Sequence, residues 1–203
     1  SVIGYGRNIS GVDFFGIHIF SLDSGPMDVT TEDVPDGTGE QFTMTGICIR
    51  GTYARRLTDR LRVGFTGKFI REDIHTTYLQ TVAFDIGSNF NTGIYGFVLG
   101  MSVTNLGPEA KYGGEGLKVT DEWAEEYGEL ANETEWYSLP MTFRLGVMNE
   151  LVGPNSEFIK NKNHKLLIAM DGINSRDYTL YGTMGLEYAW RDIAYIRLGN
   201  RFG

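Results

Sequence analysis

Apolar and polar residues alternate along most of this chain, with the period of two that sends successive side chains to opposite faces of a β-strand. Leu61, Val63, Phe65 and Phe69 point one way, and Arg62, Gly64, Thr66 and Lys68 the other. Tyr78, Val82, Phe84, Ile86 and Phe90 then oppose Thr77, Thr81, Ala83, Asp85, Gly87 and Asn89. Phe97, Leu99, Met101 and Val103 oppose Gly100, Ser102 and Thr104. Further on, Tyr137, Leu139, Met141, Phe143, Leu145 and Val147 oppose Ser138, Thr142, Arg144 and Gly146. Near the end, Met184, Leu186, Tyr188 and Trp190 oppose Thr183, Gly185, Glu187 and Ala189. Ile196, Leu198 and Phe202 oppose Tyr195, Arg197, Gly199 and Arg201. The pattern predicts an all-β antiparallel meander of about ten strands, at 2–8, 13–21, 41–56, 61–72, 77–90, 96–106, 136–148, 164–172, 178–190 and 194–202. Strand 41–56 alternates less cleanly, because Ile47 and Ile49 share a face with Thr43 and Thr45.

Strand length changes what the alternation means. Ordinary strands run about five or six residues, whereas a strand tilted across a bilayer needs about 9–11. Several of these reach that length and carry aromatics at their ends: Phe14, Phe42, Tyr53, Tyr78, Phe90, Tyr137, Tyr188 and Trp190. That is the pattern of a transmembrane barrel. A soluble β-sandwich also alternates, but it would bury the bulky face in a core. Loop parity favours the barrel. Short links at 9–12, 57–60, 91–95 and 191–193 share one end, and the long links 22–40 and 107–135 share the other. The expectation is a single barrel domain over 1–203, with long extracellular loops at 22–40 and 107–135. Val63, Phe65, Phe84, Leu99, Met101, Phe143, Leu145 and Leu186 are expected to face lipid. Arg62, Lys68, Asp85, Arg144, Glu187 and Arg197 are expected to face the lumen. Both signs occur in that set, so cross-strand pairing that fills the interior and a polar ligand path are both open.

Composition agrees. The chain has 27 glycines, 12 Phe, 11 Tyr and 3 Trp, a combination suited to many close-packed strands. Charge is formally −8, but it is unevenly placed. Residues 22–40 carry six acids and no Lys or Arg, and residues 107–136 carry nine acids against Lys111 and Lys118. Such segments repel nucleic acid, so a nucleic-acid partner is excluded from the expectations. Solvated cover is the plain reading of these loops. A partner-facing surface built from Asp28, Asp33, Asp36, Glu122, Trp123, Glu126 and Tyr127 is the sharper one. Trp123, Tyr127 and Leu130 follow helical spacing after Thr120 and Asp121, which can cap a short helix lying as a lid on the barrel mouth. Clustered carboxylates could also take Ca²⁺, although Asp33-Val34-Pro35-Asp36-Gly37 lacks the spacing of a calcium loop.

No catalytic constellation assembles. His18, His75 and His164 are isolated, Cys48 is alone, and no Gly-x-Ser-x-Gly elbow is present. Neither a metal, a cofactor nor an enzymatic activity is expected.

Several ordered stretches resemble the PorV/PorQ family of FadL-like outer-membrane barrels. Gly51-Thr52-Tyr53-Ala54-Arg55-Arg56-Leu57-Thr58-Asp59-Arg60-Leu61-Arg62-Val63-Gly64 is similar to the family hairpin with a Leu-Thr-Asp turn. Val82-Ala83-Phe84-Asp85-Ile86-Gly87 is similar to the following strand, and Val103-Thr104-Asn105-Leu106-Gly107-Pro108 to the ending before the long loop. Leu139-Pro140-Met141-Thr142-Phe143-Arg144-Leu145-Gly146 resembles the strand that resumes after it. The tail from His164 to Gly203 fits as well, including Gly185-Leu186-Glu187-Tyr188 and Arg197-Leu198-Gly199. Family barrels have about fourteen strands, so the resemblance implies an incomplete barrel, the interior of a longer protein. It implies a bacterial outer-membrane component of type IX secretion that receives secreted proteins carrying a C-terminal sorting domain. Its implied partners are secreted cargo, other secretion-system or outer-membrane proteins, and outer-membrane lipid. The alternative is a FadL-type channel for small hydrophobic molecules.

Overall fold

The computed structural model describes residues 1–30, 33–118 and 134–203. In chain order its strands are β1 (Val2–Asn8), β2 (Asp13–Asp23), β3 (Met27–Asp28), β4 (Gln41–Phe42), β5 (Met44–Arg56), β6 (Leu61–Ile74) and β7 (Thr77–Asn91). They continue as β8 (Val98–Leu106), β9 (Gly113–Gly114), β10 (Thr142–Gly153), β11 (Ile159–Lys160), β12 (His164–Ser175), β13 (Tyr178–Trp190) and β14 (Ala194–Phe202). Ten long strands form one antiparallel sheet in sequence order, β1-β2-β5-β6-β7-β8-β10-β12-β13-β14. The two-residue strands β9 and β11 attach to β7 and β10, and β3 pairs with β4 as a separate ribbon. Among the described residues β1 and β14 do not pair with each other, so the sheet stays open at both edges.

Register fixes two faces. Tyr53, Phe65 and Ile86 stand side by side on one, and Thr52, Thr66 and Asp85 on the other. On the apolar face Phe65, Phe84, Leu99, Met101, Phe143, Leu145 and Leu186 are all exposed, while Val63 is half-buried. Buried apolar side chains among the described residues are only Cys48, Ala83, Ala110, Ile173 and Ala189. The accessible surface is 14432 Å² for 22.7 kDa, against roughly 9500 Å² for a compact soluble monomer of that mass. A soluble sandwich would cover its bulky face with a second sheet, and no such sheet lies among the described residues. The single-layer wall replaces that alternative.

The structure corrects three expected boundaries. The strand expected at 136–148 starts at Thr142 and runs on to Gly153. Pro140 has no N–H to give a ladder, and Met141 N donates to Leu139 O at 2.7 Å, which turns the chain just before the strand. Tyr137 bridges to Ala110 instead of continuing the alternation. The strand expected at 41–56 breaks at Thr43, because Ser24 accepts Met44 N on its hydroxyl (3.0 Å) and gives its own N–H to Met44 O (3.0 Å). The loop expected at 22–40 is partly ordered: β2 extends to Asp23, and Met27 and Asp28 pair with Phe42 and Gln41.

Candidate functional site

The polar face is built mainly of small residues, with charged groups set among them. Arg62, Lys68, Asp85, Arg144, Glu187 and Arg197 all lie on it by register. Lys68 is held by two neighbours. Its Nζ is 2.7 Å from Asp85 Oδ1 and donates to Asn105 Oδ1 at 2.8 Å. Asn105 sits at φ 60°, in the left-handed region, where the β7–β8 register shifts between Phe84 and Ile86. Its backbone N–H donates to Asp85 Oδ1 at 2.9 Å and its side-chain amide to Pro140 O at 3.0 Å. One ion pair thus ties β6, β7, the β8 bulge and the approach to β10 together. Beside it the hydroxyls of Thr52 and Thr66 meet at 2.9 Å. At the far edge Arg197 Nε reaches Glu187 Oε2 at 2.5 Å. Arg62 and Arg144 are exposed and have no carboxylate partner among the described residues.

A cavity of about 330 Å³ opens on this face between β5 and β8. Gly64, Gly87 and Ala54 floor it, and Arg62, Asp85, Asn89 and Ser102 border it.

The chain that follows β8 stays close to the upper part of β7. A Cβ on Gly107 would meet the Val82 carbonyl and lie 2.7 Å from Leu139 Cδ1, while Gly113 and Gly114 pair with Tyr78 and Thr77. Tyr112 donates its hydroxyl to Glu72 Oε1. Tyr112 and Thr134 clasp each other, with Tyr112 N donating to Thr134 Oγ1 and Thr134 Oγ1 to Tyr112 O, both at 3.1 Å. The Glu72 carboxylate accepting this bond, followed by desolvation and by the charge of Glu72, pushes the Tyr112 phenol from 10.0 up to about 12. None of this was legible as a site. A tyrosine in an acidic loop carries no signal until the register brings Glu72 beneath it.

Of the expected acidic surface, Asp28, Asp33 and Asp36 are exposed beyond the end of β2. Asp28 accepts a hydrogen bond from Gln41 Nε2 at 2.8 Å. Glu122, Trp123, Glu126 and Tyr127, with the expected lid helix, lie outside the described residues. No group of three His, Cys, Asp or Glu that could hold a metal ion occurs among the described residues. The histidines are dispersed: His18 leaves Nδ1 buried without a hydrogen-bond partner, His75 lies tilted against the Phe42 ring, and His164 Nδ1 meets the Tyr188 hydroxyl at 2.7 Å.

No protein-family profile matches the chain, and neither does any curated protein. Among solved structures it is similar to the toluene transporter TodX of Pseudomonas putida, at 10% identity with a TM-score of 0.50. The similarity covers 98% of this chain and 66% of TodX. What it establishes is the fold alone, an antiparallel barrel wall like that of TodX.

Proposed function

We propose that this chain forms part of the wall of a bacterial outer-membrane barrel that takes part in transport, with the polar face as lumen and the apolar face in lipid. The observation that carries the reading is the exposed apolar face of a sheet with almost no core. In water that face would be costly at about 25 cal/mol for each Å², and in hydrocarbon it costs nothing. Glycines, threonines and paired charges on the opposite face suit a crowded, wet interior. A fluorophore on Leu145→Cys, in a Cys48→Ser background, should be quenched by bromine on lipid acyl chains. A lack of quenching in vesicles where the protein is folded would end the membrane reading.

Within that role we favour a component of a protein secretion system, one that receives secreted proteins carrying a C-terminal sorting domain at the acidic loop end. The support is the resemblance to PorV-like barrels and the exposed Asp28, Asp33 and Asp36 beyond β2. Replacing these three with Asn, then measuring capture of sorting-domain proteins at low and high salt, tests it. Cargo binding that ignores both the substitutions and the salt would remove the acids from the interface. The similarity to TodX favours a second reading, passage of small hydrophobic molecules. That reading needs a continuous apolar path, and the polar face around Arg62, Lys68 and Asp85 offers none among the described residues.

A further inference from the structure

The cavity floored by Gly64 and Gly87 is bordered by one cation, Arg62, and one acid, Asp85. Its bordering acid, Asp85, is engaged by Lys68 at 2.7 Å. Arg62, which borders the cavity, has no carboxylate partner among the described residues. Its register partner across the β5–β6 ladder is Arg56, on the same face of the sheet. Among the described residues Arg56 donates from its side chain only to the Gly11 carbonyl, at 3.4 Å. Like charges placed directly opposite destabilise a sheet, and Arg56 turns its guanidinium away toward the β1–β2 link. On the other side Arg144 is the register partner of Ser102, and it too is exposed and unpaired among the described residues. Arg144 stands beyond the cavity lining: β6 and β10 are three steps apart and the two arginines are offset by two residues along them, so their Cα atoms lie about 16 Å apart. The polar-face side chains between them are small: Gly87, Asn89, Gly100 and Ser102. The space above Gly100 is open, with nothing within 4 Å of where a Cβ would stand.

We propose that this trough binds a small anion, a carboxylate or phosphate group held by Arg62 and Arg144 over the glycine floor. Asn89 and Ser102 supply neutral donors, and planar guanidiniums suit two-pronged contacts to either oxyanion. The site rests on the reading of the polar face as a barrel lumen. It goes beyond that reading by giving the lumen a preference for negative solutes, although the whole chain is formally −8.

The test uses the full chain labelled with ¹⁵N-glycine in detergent micelles. Inorganic phosphate is titrated at constant ionic strength while the Gly87 and Gly100 amides are followed, with acetate as a parallel arm to separate phosphate from carboxylate recognition. Saturable shifts are expected. Arg62→Gln with Arg144→Gln should weaken binding about tenfold or more, the loss expected for charge-assisted hydrogen bonds. Asp85→Asn should act the other way and tighten it, because an acid leaves the border and Lys68 is released. Wild-type amides that do not respond to either anion, or an Arg62→Gln/Arg144→Gln double variant that binds as well as wild type, would overturn the proposal. Acyl-chain quenching at Leu145→Cys separates the two failures. Quenching without anion binding sinks the site alone, and no quenching sinks the barrel reading beneath it.

Discussion

Lys68 and Asp85 lie diagonally across the β6–β7 ladder, 2.7 Å apart, with the lysine side chain only 7% exposed. A cation this enclosed persists because the Asp85 carboxylate pairs with it and the Asn105 Oδ1 accepts a hydrogen bond from it. Lys68→Met should cost about 2–3 kcal/mol, at the low end of the range for breaking a buried pair because Asp85 is partly wet. Adding Asp85→Leu should recover part of that loss. A double-mutant cycle in urea, with the protein in lipid vesicles, reads the coupling. A coupling near zero would show that the bulge holds without the pair.

The two faces should respond oppositely to one substitution. Leu145, on the apolar face, is 51% exposed, and Leu145→Arg should cost about 2–4 kcal/mol in a bilayer. Thr183 is the register partner of Asp171 on the polar face, and Thr183→Arg should cost under about 1 kcal/mol. Equal costs in vesicle unfolding would contradict the assignment of faces.

Gly107 has no room for a side chain, since a Cβ there would strike the Val82 carbonyl and crowd Leu139. Gly107→Val should therefore displace the chain leaving β8, at a cost of about 1–3 kcal/mol. Limited proteolysis should then cut within 108–118 in the variant and spare wild type. A wild-type digestion pattern would mean that the crossing relaxes without detaching.

The Tyr112–Glu72 contact needs a protonated phenol. Its folded pKa is raised from 10.0 to about 12, so its stabilisation is complete below about pH 10 and is lost as pH climbs through about 12. Ultraviolet titration should show late tyrosine ionisation, and Tyr112→Phe should lower the absorbance change near pH 12 by one tyrosine. An unchanged late step in Tyr112→Phe would assign it elsewhere.

Strand order and faces were readable because one face is uniformly bulky and the other small, so a slip of one residue would have reversed every side chain. The hairpin ends at Arg56–Leu61 and Trp190–Ala194 coincide with the expected strands. What stayed hidden depended on pairs distant in sequence. The start of β10 yields to Pro140 and to the Ala110–Tyr137 bridge, and alternation through Tyr137 and Leu139 imitated a strand there. The β8 bulge turns on a positive φ at Asn105, which its neighbours in sequence do not mark. Arg62, Asp85 and Arg144 were each visible as polar-face residues, but the cavity that Arg62 and Asp85 border required the register of four strands, β5 to β8. Asp28, Asp33 and Asp36 were legible as a charged surface and remain one.

Because each long strand pairs with the next one along the chain, the molecule can assemble as successive hairpins with little search. The β8–β10 seam, from Thr104–Thr142 to Val98–Met148, is different, since the chain must first close the link between Leu106 and Thr142. Relative to a four-residue turn, that closure costs roughly 2 kcal/mol more in chain entropy. Two meanders, β1–β8 and β10–β14, are therefore expected to form early and to dock late. The rate of wall formation should depend on the length of the acidic link more than on any residue in the strands.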